Sequence, residues 1–145
     1  MTEIYDFMRL LYARAGEAYS YLTGKKMIRQ TEDQIIEQLF TKFLGKKLYI
    51  LAPVVKGRKG HYRELFEQIR KMGFSKVRVD GVVMEIVPKM QVDRYKIHDI
   101  EIVIDRIIAE ESDRFRITQS LKSGLQHGKG VIMIREENGE IHHFS

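Results

Sequence analysis

The sequence predicts an α+β fold (mixed α/β), with helices packed on one side of a predominantly antiparallel sheet. Three observations carry that prediction. Segments with three-and-four apolar spacing interleave with segments of period two; two of the period-two pairs flank Asp80-Gly81 and Asn138-Gly139; and the elements run helix, helix, strand, helix, three strands, helix, two strands.

Ile4, Phe7, Met8 and Leu11 have the spacing of an amphipathic helix that Gly16 closes, and residues 17–30 read as a loop with room for a short strand. Thr31 and Gln34 form a capping box ahead of the stripe Ile35, Ile36, Leu39, Phe40 and Phe43, and Gly45 ends that helix. The apolar run "KKLYILAPVV" reads as a strand covered on both faces. It delivers the chain into an expected basic loop, Lys56-Gly57-Arg58-Lys59-Gly60. A helix from about Gly60 to Met72 follows, with Tyr62, Leu65, Phe66, Ile69 and Met72 inward and Gly73 at its end.

"KVRVDGVVMEIV" alternates about Asp80-Gly81 as a hairpin. In "HDIEIVIDRI", strict alternation places Ile100, Ile102 and Ile104 on one face and Glu101, Val103 and Asp105 on the other. Residues 112–127 read as a helix with Ser112 at the N-cap and Phe115, Ile117, Leu121 and Leu125 mostly inward. "GVIMIREENGEIHHF" closes the chain as a second hairpin. Both ends read as cut, as in a fragment.

A length of 145 residues fits one domain with a core, and 43% hydrophobic with 31% charged residues excludes a disordered chain. No apolar stretch is long enough to span a bilayer and no signal peptide opens the chain, so a cytoplasmic protein without a membrane partner is expected. The absence of cysteine rules out disulfides and thiolate metal sites.

Charge is concentrated. Residues 46–78 hold 10 Lys and Arg against 2 Asp and Glu, a local +8, while residues 1–45 are neutral and residues 79–145 carry −3. Such an excess points to an acidic partner.

Catalytic patterns are missing. Gly57 and Gly60 are too close for a phosphate loop of the Walker type and His61 follows the second glycine, although an anion at that basic turn is compatible with the strand-to-helix context. The five histidines read as surface residues: His142 and His143 point to opposite faces, and His98 cannot face its neighbour Asp99. Glu110-Glu111 and Glu136-Glu137 read as solvated turns. Tyr49 and Tyr62, interleaved with cations, read as core rather than as base-stacking platforms. No catalytic or metal-binding residue is assigned, and an enzyme reading has no residue in its support.

The strings "TEIYDFMRLLYARAGEAY", "RQTEDQI", "LAPVVKGRKG", "GFSKVRVDG" and "KIHDIEIVIDRI", in this order and spacing, resemble the UvrA family, the damage-sensing component of the excinuclease ABC system in bacterial nucleotide excision repair. The resemblance implies that residues 1–30 belong to the first signature region and residues 31–145 to the domain that docks UvrB. It implies a parent that is a homodimeric ATPase binding DNA, with ATP, magnesium and zinc held outside this chain. Ser20 and Thr23 stand where many relatives carry zinc-binding cysteines, so that zinc module is expected to be absent.

By the same resemblance, the UvrB-docking cations fall on Lys76 of "FSKVR" and Arg106 of "VIDR", with Arg78 beside them. Lysine at position 76 keeps the charge but loses the bidentate geometry of the commoner arginine. The alternative to protein docking is a direct nucleic-acid contact through Lys56, Arg58, Lys59 and Arg63.

Overall fold

Two long strands form the spine of the molecule. In the computed structural model, which describes the backbone of residues 17–19 and 26–28 and all of residues 30–145, β3 (Lys47–Lys59) and β6 (Ile97–Ile108) pair antiparallel at the centre of a six-stranded sheet. The other strands are β4 (Lys76–Val79), β5 (Val82–Glu85), β7 (Ile132–Glu136) and β8 (Ile141–Phe144), in the order β5-β4-β6-β3-β7-β8 with every pairing antiparallel. Short strands β1 (Glu17–Tyr19) and β2 (Lys26–Ile28) pair with each other within the expected loop. The expected first helix, with Ile4, Phe7, Met8 and Leu11, and the pair Ser20 and Thr23 lie outside the described residues.

Three helices, α1 (Glu32–Lys42), α2 (Arg63–Lys71) and α3 (Arg114–His127), cover one face. The capping box forms as expected: the Gln34 N–H donates to Thr31 Oγ1 at 3.1 Å and the Thr31 N–H donates to Gln34 Oε1 at 2.9 Å. Ile35, Leu39 and Phe43 of the first helical segment and Ile117 and Leu121 of α3 pack on Leu48, Ile50, Ile132 and Ile134. Phe66 and Ile69 of α2 pack on Ala52, Val77, Val79, Ile100 and Ile102, and Ile104 touches both groups, so the apolar layer is continuous. No helix among the described residues is long and apolar enough to cross a membrane.

Several expectations are corrected. The basic segment at residues 56–59 is the end of β3 and not a loop: Arg58 pairs with His98 and Lys59 with Ile97. Gly57, at φ 62°, takes up a register shift there and donates its N–H to Asp99 Oδ1 at 2.7 Å, which lets the ladder continue past the irregularity. Helix α2 starts three residues late because Tyr62 is left-handed (φ 57°); Met72 lies beyond its last residue and is exposed. Ser112 sits in a 3-10 turn rather than capping α3, and Phe115 is 79% exposed. Two residues at 100° each put Phe115 on the far side of the helix from buried Ile117.

The most consequential departure is a β-bulge. Ile50 pairs with Asp105 but Leu51 pairs with Val103, so Ile104 is an extra residue in β6. Alternation resets there, and Asp105 faces the helices rather than the opposite side. Ser120 Oγ donates to Asp105 Oδ2 at 2.7 Å, while Arg116 Nη2 and the Arg106 N–H each donate to Oδ1 at 2.8 Å. Asp105→Ala is expected to lower stability by about 2 kcal/mol, as removal of an ionised acceptor from several donors does; the midpoint of urea unfolding measures it.

A candidate docking face

The bulge decides where Arg106 points. With Asp105 turned to α3, Arg106 faces the side of the sheet that carries none of the described helices. There its guanidinium lies 5.7 Å from the centre of the Tyr49 ring, and Arg135 reaches the same ring at 5.9 Å from the other flank. Tyr49 is the direct cross-strand partner of both, so β6, β3 and β7 display an arginine, a tyrosine and an arginine in one row. An aromatic face between two guanidinium groups gains cation–π attraction and holds each cation extended over the sheet.

The neighbouring row is apolar: Val103, Leu51 and Met133 pair across the same three strands and are buried, with Tyr49, Val83 and Ile141 packed against them. Leu51 of β3 is therefore buried on this face too, although none of the described helices lies over it. Extending the register of β4 on β6 one residue beyond Val77 and Ile102 brings exposed Lys76 level with Val103, opposite Glu85 of β5. Rows on one face of a strand repeat every two residues, about 7 Å, so Lys76 and Arg106 stand on adjacent rows.

Arg78 occupies the third row and is committed inside the protein. Its Nη1 donates to Glu101 Oε1 at 2.8 Å, with the two side chains only 14% and 6% exposed, and its Nε is buried without a hydrogen-bond partner among the described residues. Burial raises the Glu101 carboxyl above its ordinary value, and the Arg78 bond and charge act against that rise.

Of the four cations of the basic segment, Lys56 lies near His143, the cross-strand partner of Met133, where burial and then the Lys56 charge hold the imidazole below its ordinary value. Lys56, Arg58 and Lys59 are exposed at the end of β3, where alternation sends Arg58 and Lys59 to opposite faces, and Arg63 opens α2. Other charges expected to be solvated are engaged. Glu136, 6% exposed, accepts from Lys46 Nζ at 2.9 Å and lies 2.7 Å from His142 Nε2; the Lys46 bond, then that of His142, holds its carboxyl below the ordinary range. Glu136, Glu140 and His142 bring potential ligand atoms within 4.8 Å of one another, but a lysine ammonium already occupies the Glu136 carboxylate. His98 is likewise buried and bonded to Asp80. These contacts correct the reading of Glu136, His98 and His142 as surface groups.

A sequence profile described as the UvrA interaction domain matches residues 30–138. The chain belongs to this UvrA interaction domain family. Among curated relatives, UvrABC system protein A of Deinococcus radiodurans is 40% identical over 136 residues, covering 92% of this chain and 13% of the relative. That of Thermus thermophilus is 38% identical over 148 residues (100% and 16%), and that of Bacillus subtilis 41% over 134 residues (92% and 14%). The chain thus spans less than one fifth of the length of these relatives.

Of the residues the sequence singled out, Lys76, Arg78 and Arg106 come to one face, Lys56 lies beside His143 of β8, and Arg58, Lys59 and Arg63 stand at the end of β3 and the start of α2. Tyr49 and Arg135 were missed. Tyr49 reads as core by spacing, and Arg135 joins it only through the pairing of β7 with β3, which no local motif announces.

Arg78→Ala, which strands the buried Glu101 carboxylate, is expected to cost about 3 kcal/mol at neutral pH. The loss should shrink as pH falls, because Glu101, whose value is raised, takes up a proton sooner than an ordinary carboxylate. Denaturant unfolding at neutral and at acidic pH checks both the size and the direction.

Proposed function

We propose that this chain is the unit by which a UvrA-type nucleotide excision repair protein docks UvrB for loading onto damaged DNA. Its family membership supports the reading, and so does one observation: Lys76, Arg106 and Arg135 stand around an apolar floor on the face that carries none of the described helices. Outward cations, exposed at Lys76 and Arg106 and half-buried at Arg135, suit a partner that offers carboxylates. In this proposal residues 31–145 form the docking domain and residues 1–30 belong to the first signature region. ATP, magnesium, zinc, DNA binding and homodimerisation are assigned to the longer protein of which such a chain is a part.

Lys76→Glu, Arg106→Glu and Arg135→Glu are each expected to weaken binding to purified UvrB by about tenfold or more, roughly 1.4 kcal/mol, with each variant still folded at the temperature of the titration. Binding of the unchanged chain should weaken as salt rises. Calorimetric titration at two salt concentrations checks this, and unchanged affinity in all three variants contradicts the proposal.

A second reading is favoured by the exposure of Lys56, Arg58, Lys59 and Arg63, none of which forms an ion pair with another described residue. It places duplex DNA on these cations. The projection of Arg58 and Lys59 to opposite faces disperses the charge, so the expected affinity for DNA without UvrB is weak and steeply salt-dependent. A gel shift on the 145-residue chain tests it; tight binding at physiological salt would favour this second reading.

A further inference from the structure

We propose that His98 is a proton-operated latch: as an imidazolium it fastens the segment between β5 and β6 with a hydrogen bond that the neutral ring cannot make.

His98 lies near the start of β6, 6% exposed, with both ring nitrogens engaged. Nδ1 is 2.7 Å from Asp80 Oδ2 in the β4–β5 turn, and Nε2 is 2.7 Å from the backbone carbonyl oxygen of Asp93. An ionised carboxylate and a carbonyl oxygen can only accept. Two acceptors at hydrogen-bond distance need a proton on each nitrogen, and a neutral imidazole has one.

The groups around the ring favour the charged form. The Asp80 carboxylate and the backbone and charge of Asp93 face it, and the Asp80 bond, then that of Asp93, raises His98 above its ordinary 6.5 despite burial. Against the charge stands Arg58, its cross-strand partner on β3. Tyr62, at the start of α2, presents its ring edge-on at 6.5 Å, and the Asp99 carboxylate is turned away to the Gly57 N–H. Burial pushes Asp80 up, but its bonds to His98 and to the Asp99 N–H more than offset this, so it stays ionised at neutral pH.

Loss of one proton is therefore asymmetric. The bond to the carboxylate is the stronger, so the remaining proton stays on Nδ1 and a lone pair on Nε2 faces the Asp93 carbonyl. Asp80 remains held, and with it the hairpin that carries Lys76 and Arg78. The segment before β6 keeps only its other ties, including the Val92 N–H to the His61 carbonyl at 2.9 Å and the apolar contacts of Met90 and Val92. A raised value in the folded state stabilises fully below 6.5 and loses that contribution as pH rises through the folded value. The latch opens on the alkaline side.

The test follows the ring nitrogens of His98 by 15N NMR and the exchange of the Val92 and Lys96 amides in the 145-residue chain, from about pH 6 to about pH 9. The ring should titrate above 6.5, with Nε2 losing its proton first. Exchange at those two amides, corrected for its intrinsic pH dependence, should rise about tenfold over the same titration while that of Ile100 and Ile102 holds. In Asp80→Asn, whose side-chain oxygen still accepts from Asp99, the ring midpoint should fall and the onset of exchange should fall with it. A ring that titrates at or below 6.5, or amide exchange that ignores the titration, overturns the proposal from the unchanged chain alone.

Discussion

The bulge at Ile104 and Asp105 is the constraint on which the rest of the candidate site depends. A strand without it would carry Ile100, Ile102, Ile104 and Arg106 on one face and would bury a guanidinium under α3. One inserted residue turns Asp105 to the helices, where Ser120 and Arg116 hold it, and turns Arg106 to the opposite side beside Tyr49. The same contact fastens α3 to the sheet and aims the cation, so the packing of the helix layer and the composition of the docking face are one piece of geometry.

Electrostatics then sorts the charges. The +8 of residues 46–78 is not a single patch. Lys46 is paired with Glu136, Arg70 with Glu67 and Arg78 with Glu101, while Lys56, Arg58 and Lys59 lie at a strand end. Arg78 belongs to the architecture: its pair with Glu101 costs desolvation on both sides and is sustained by close geometry. Lys76, Arg106 and Arg135 face outward instead. The Tyr49 ring keeps two of them extended, which lowers the side-chain entropy lost when a carboxylate binds.

Most of the fold was legible because its signals are local. The capping box at Thr31, the Asp80-Gly81 turn and the isoleucines of β6 each state their structure within a few residues. Expectations failed where distant partners decide. Residues 56–59 look like a loop by composition, yet the long ladder with β6 draws them into a strand. The bulge leaves only a faint mark in "VIDR", where Asp105 and Arg106 are adjacent polar residues and alternation by residue type lapses, and only the pairing with β3 shows which residue is extra. For the candidate site, Lys76, Arg78 and Arg106 came from family strings rather than from chemistry. Tyr49 and Arg135, 86 positions apart, meet only across paired strands.

The central claim is that the face without described helices, on which the bulge sets Arg106, is the surface a partner covers. Backbone amide shifts of the labelled chain, recorded by NMR as unlabelled UvrB is added, test this most directly. Perturbation or broadening is predicted at Tyr49, Leu51, Lys76, Val103, Arg106 and Arg135, with α1 and the outer side of α3 unchanged. Changes confined to the helical side, or to residues 56–63, would contradict the account.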